Sequence, residues 1–165
     1  MNRQDRRAVS RQYFSQERLA EHHFRSFNNF LERGMQEVVS EKATIDTDIG
    51  DKEGEEPVFV ELGDIRVETP RVREADGSEE LLFPQEARLR NITYAAPVFM
   101  EMSIVRGGEE EEEVVVDTTE TKVGRMPIMV GSTKCNIAGL TDEELVEIGE
   151  DPVDPGGYFI VNGSE

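Results

Sequence analysis

The chain of 165 residues has one cysteine, only four lysines, and no uninterrupted apolar run approaching the roughly 18 residues that a membrane-crossing helix needs. A single thiol, Cys135, excludes an intramolecular disulfide and any metal site built from several thiolates; a lone cysteine is most often a small buried apolar side chain. The Arg-rich start also lacks the apolar stretch of a secretory signal, so the expectation is a soluble, cytoplasmic protein. Apolar residues are scarce as well, at 36% of the chain against a usual share of about 45 to 50%. A core is still within reach, because a chain of this size buries roughly 70% of the surface its unfolded form exposes.

What is abundant is carboxylate. Asp and Glu number 36 against 18 Lys and Arg, for a net charge of -18. Such an excess, with lysine confined to Lys42, Lys52, Lys122 and Lys134, suits a cytoplasm of very high salt, where the Debye length falls to about 3 Å at 1 M and self-repulsion is screened. The charge is uneven. Residues 1–40 carry seven Arg and five acids, a net of +2, which leaves -20 on the remainder.

Periodicity predicts a mixed α+β chain with an antiparallel sheet and amino-terminal amphipathic helices. Residues 2–14 read as a short basic helix. From Leu19 to Val39 the apolar residues recur at three- and four-residue steps, the mark of an amphipathic helix. Residues 46–56 read as a solvated loop, whose Asp46 and Asp48 do not continue into a calcium-loop pattern because Gly50 and Asp51 stand where the acid and the glycine should be. "VFVELGDIRVETPRVRE" predicts a hairpin followed by an edge strand. Pro84 to Arg90 predicts a short helix entered through its proline. "TYAAPVFMEMSIVR" and "VVVDTTETKVG" predict a hairpin turned by "GGEEEEE", with Glu109 to Glu113 facing water. A strand is expected from Pro127 to Gly131. Thr141 and Glu144 predict a capping box at the start of a helix that ends near Gly149. "YFIVN" predicts a last strand.

No catalytic constellation emerges from this pattern. The chain has no Gly-rich phosphate loop, no nucleophile elbow, and so many carboxylates that no pair is singled out as acid and base. His22 and His23 are neighbours, pointing about 100° apart on a helix, so one packed and one exposed ring is expected rather than a metal site. The candidate binding residues are cations: Arg88 and Arg90 beside the short helix, and Arg125 and Lys134 bracketing "MPIMVGST". In so acidic a chain these are candidate phosphate contacts, with pairing to the surplus carboxylates as the competing reading.

Four blocks in order, "SFNNFLERGMQEVV", "EARLRNITYAAPVFMEM", "MPIM" with "KCN", and "GLTDEELVEIGEDPVDPGGYFIVNGSE", resemble the amino-terminal part of the second-largest subunit of multisubunit DNA-directed RNA polymerase. The resemblance runs from about Leu19 onward and is nearest to archaeal and eukaryotic versions, including archaeal chains in which this subunit is split in two. It implies a protrusion-type domain, here incomplete, in which residues 1–40 form a helical start, 41–56 an acidic loop and 57–165 the α+β part, without the lobe and later domains. It also implies a place beside upstream DNA and the non-template strand, with Tyr158 to Val161 leading toward the RNA–DNA hybrid. The catalytic Mg²⁺ would belong to the largest subunit, so this chain would carry no catalytic, cofactor or metal residue and would act as an architectural part of a nucleotidyltransferase. The family commonly has a basic residue where this chain has Gly131. A final strand cut from its continuation would leave apolar surface exposed on it and on the helix from Leu19 to Val39. The alternative is a free-standing acidic module of the same fold that binds a protein partner.

Overall fold

The computed structural model describes residues 20–47, 57–107 and 114–165. The expected helix at 2–14, most of the acidic loop and the turn at Glu109 to Glu113 lie outside them. The described residues divide into two compact units: one of 20–29, 69–95 and 127–165, the other of 30–47, 57–68, 96–107 and 114–126. The helices and antiparallel sheets make it α+β, as the sequence predicts.

In the first unit, helix α1 (Glu21–Asn29) buries Phe24 and sets Phe27 edge-on against Phe159, ring centroids 5.3 Å apart. His22 and His23 are both exposed, their rings 4.0 Å apart, which corrects the expectation that one is packed. Both project from the first turns of a helix whose inward side carries Phe24 and Phe27.

The second unit opens with a π-helical stretch (Phe30–Gly34) and α2 (Met35–Ser40), followed by a four-stranded sheet. Its order is β1 (Thr44–Asp46), β2 (Val58–Val67), β5 (Ala95–Arg106) and β6 (Val114–Pro127). Strand β1 stands at the front of the segment expected as an acidic loop. The hairpin expected at "VFVELGDIRVETPRVRE" is instead one ten-residue strand with a bulge. Leu62 pairs with Met102 and Ile65 with Met100, so β2 spends three residues where β5 spends two. At Gly63 a Cβ would stand 3.2 Å from Glu101 Cβ, so a larger residue would crowd the bulge.

Returning to the first unit, the Asp-Gly turn joins β3 (Arg71–Arg73) to β4 (Glu79–Leu81) as a small hairpin. Helix α3 (Pro84–Leu89) starts on its proline, and α4 (Asp142–Glu147) carries the expected capping box of Thr141 and Glu144. Tyr94, Leu82, Ile128, Val130 and Ile160 form the core, each no more than 1% exposed.

Neither strand expected at Pro127 to Gly131 or at "YFIVN" forms a ladder of its own: Pro127 ends β6, Ile128 and Met129 are buried before the turn at Val130–Gly131, and in "YFIVN" only Ile160 is buried. Tyr94 N–H donates to Ile160 O, Ile128 N–H to Tyr94 O, and Val130 N–H to Tyr158 O, a set of single bonds to changing partners. The chain does not run straight on through "NGSE". Asn162 and Gly163 both take positive φ, 51° and 78°, and Val161 and Ser164 exchange two backbone bonds of 2.8 and 3.0 Å, the geometry of a tight hairpin turn. Ile160 and Phe159 are covered while Val161 is exposed; on the helical run, Phe30 and Val38 are exposed.

Candidate nucleic-acid interface

The four candidate cations differ sharply in their surroundings. Arg88 lies in the last turn of α3 and is enclosed by carboxylates distant in sequence. Its Nε donates to Glu165 Oε1 at 2.7 Å, Nη2 donates to Asp154 Oδ2 at 3.4 Å and to the Tyr158 hydroxyl, and Nη1 sits 3.6 Å from Glu150 Oε2. Tyr158 in turn donates to Asp154. Glu150 is the most buried of the three acids and also accepts from the Gln85 backbone N–H at 2.7 Å.

The electrostatics follow from that crowding. Burial pushes the Glu150 carboxyl above its ordinary range, against the pull of the Gln85 N–H and Arg88. Burial works against the charged form of Arg88, but the bond to Glu165 and the nearby acids outweigh it and hold the guanidinium charged. Burial and the bond to Asp154 raise Tyr158, so its hydroxyl stays a donor. One cation among three carboxylates makes a network in which the charge of Arg88 is already answered within the fold.

Arg90 is likewise engaged, donating to Glu74 at 2.6 Å and to Glu86 at 2.8 Å. These two bonds raise it further above the arginine range, though they sit on an exposed surface. Arg125 stands exposed near the end of β6.

Lys134 is half-exposed, and no ion pair reaches it among the described residues. Its turn is held on both sides. Before it, Thr133 donates from its backbone N–H (3.1 Å) and its hydroxyl (3.2 Å) to Asn28 Oδ1 on α1. After it, buried Cys135 contacts the Tyr94 hydroxyl at 3.3 Å, and Asn136 donates to the carbonyls of Pro70 (2.8 Å) and Leu82 (2.7 Å). The backbone that carries Lys134 is thus anchored to three parts of its unit.

Gly131 has φ +81°, and a Cβ there would stand 3.2 Å from the Phe24 ring. A side chain at this point would have to displace that ring. Among the described residues no group of three or more His, Cys, Asp or Glu is arranged to hold a metal ion, and no helix is long and apolar enough to cross a membrane.

Sequence reading missed Glu150, Asp154, Tyr158 and Glu165 as partners of Arg88. They lie 62 to 77 positions further along the chain, a spacing with no local signature.

Comparison with known proteins joins these observations. A family model described as RNA polymerase beta subunit matches residues 18–165. DNA-directed RNA polymerase subunit Rpo2N of Halobacterium salinarum is 80% identical over all 165 residues of this chain, which cover 32% of that relative. Rpo2N of Methanocaldococcus jannaschii is 42% identical over 93% of the chain and 30% of its own length. Subunit Rpo2 of Saccharolobus solfataricus is 43% identical over 98% of the chain and 13% of its own length. The chain therefore spans about a third or less of these relatives. With the family model covering nearly the whole chain, this protein belongs to the RNA polymerase beta subunit family.

Proposed function

We propose that the chain is the amino-terminal, non-catalytic part of the second-largest subunit of an archaeal DNA-directed RNA polymerase, lining the DNA cleft. The observation that carries this reading is the 80% identity, over the whole chain, to a relative named as such a subunit. In the assembled enzyme nucleotidyl groups pass from NTPs to RNA on a DNA template. The Mg²⁺ of that reaction would be held by the largest subunit, and this segment would contribute shape and charge. Its partners are the other polymerase subunits, the remainder of the second-largest subunit and upstream DNA, in the cytoplasm.

Within this reading the cations separate by role. Arg88 and Arg90 hold the fold, because their charge is already answered by carboxylates. Lys134, on its anchored turn, is the favoured phosphate contact. At high salt each such contact is weak, since counterion release contributes little when the bulk already holds many ions.

Affinity isolation of the tagged natural protein at molar salt tests the proposal. Stoichiometric recovery with a larger Mg²⁺-binding subunit and DNA-templated RNA synthesis is the expected result. Recovery alone, with transcription unaffected by its depletion, would favour the free-standing module.

A further inference from the structure

Strand β6 is extended without being buried. All twelve residues from Val114 to Arg125 are exposed, and β6 is an outer strand of its sheet, paired on one side by β5. Successive side chains of a strand point to opposite faces, so exposure of 59%, 57% and 52% at Val114, Val115 and Val116 means that both faces are open here. Ile104 on the neighbouring strand is also exposed.

Natural sheets blunt such edges with lysine, proline, glycine bulges or short length. The far half of β6 has Lys122, Gly124 and Pro127; the half from Val114 to Thr119 has one charged residue, Asp117, and no lysine, proline or glycine. Five of those six residues are β-branched, which holds the backbone extended where burial does not.

Charge decides what such an edge would accept. From Gly107 to Thr121 the sequence has seven acids and no base. Pairing β6 with β6 of a second copy would set like charge against like charge, whereas a basic strand would place opposite charges across from each other. We propose that the edge of β6 at Val114 to Thr119 receives an extended segment of a partner protein, added as a fifth strand, in which apolar residues alternate with Lys or Arg.

The probe is a short labelled peptide alternating valine and lysine, titrated into the full chain by fluorescence anisotropy, with a valine–glutamate peptide as comparison. Val115→Lys with Val116→Lys should weaken binding at least tenfold. Val146→Lys with Val153→Lys changes the charge equally at exposed sites elsewhere and should leave binding unchanged. Both variants should keep the parent's circular dichroism, and bound peptide should slow amide exchange at Val114 to Thr119. Equal weakening by both pairs, equal binding of the glutamate peptide, concentration-dependent dimerisation through β6, or no exchange protection there would overturn the proposal.

Discussion

The side chain of Gln36 closes on the bulge of β2 by accepting from the Ile65 backbone N–H at 2.9 Å, while its amide nitrogen donates to Gly63 O at 3.2 Å. Two backbone groups that the irregular ladder would leave without a strand partner are satisfied by one amide from α2. Gln36→Ala should therefore lower stability by about 1 to 3 kcal/mol, read from the urea midpoint. Gln36→Glu should also destabilise, because a carboxylate accepts from Ile65 but cannot donate to Gly63.

Arg88 is a second test of internal pairing. Arg88→Met keeps much of the apolar stem but leaves Glu150, Asp154 and Glu165 without their shared cation. Removing one partner of a buried pair costs about 3 to 5 kcal/mol; with Arg88 one-fifth exposed and Glu165 about half exposed, a loss of roughly 2 kcal/mol is expected. The loss should shrink at molar salt, where repulsion among the remaining carboxylates is screened. Equal losses at low and high salt would contradict an electrostatic origin.

Two glycines with positive φ separate backbone conformation from crowding. At Gly149, φ is +84° and a Cβ would meet nothing within 4 Å, so Gly149→Ala should cost only the conformational term, about 1 kcal/mol. At Gly156, φ is +65° and the Cβ would stand 2.5 Å from Val130 O, so Gly156→Ala must also displace the core segment. Thermal unfolding should show the second variant markedly less stable than the first.

The pH dependence should split two glutamates. Burial raises the folded value of Glu150 above its unfolded one, so its contribution is fully present below the ordinary glutamate range and is lost as pH rises through the raised value. Glu120 is held below its ordinary value by the Arg66 hydrogen bond, so its contribution is present above that range and lost as pH falls through the lowered value. Stability differences between parent and variant should consequently slope in opposite directions with pH for Glu150→Gln and Glu120→Gln. Parallel slopes would contradict these assignments.

Local signals were legible in the sequence, and distant ones were not. The Thr141–Glu144 capping box and Pro84 at the head of α3 depend on neighbours within a few positions, and each stands as read, whereas β5 is a strand as expected but buries its first four residues in a row instead of alternating. Gly63 lies in a bulge rather than in the expected hairpin, and the partner that braces it, Gln36, lies 27 positions away. Asn162–Gly163 carries a turn signal, but the resemblance implied a strand continuing past "YFIVN". Among the candidate cations, the i,i+4 spacing of Glu86 and Arg90 was legible locally, but nothing near Arg88 could show the carboxylates of Glu150, Asp154 and Glu165 that surround it. The half-exposed setting of Lys134 likewise depends on Asn28 and Tyr94, neither of them adjacent in sequence.

The most direct measurement replaces Lys134 with a photo-crosslinking amino acid in the assembled, natural-length polymerase, and irradiates it on promoter DNA. A control carries the same group at Glu143, on the exposed start of α4. A DNA crosslink from position 134 that fades with rising salt, with none from position 143, is the result expected of a cleft-lining segment. An assembly active in transcription that yields no DNA crosslink from position 134, or equal crosslinks from both positions, would contradict it.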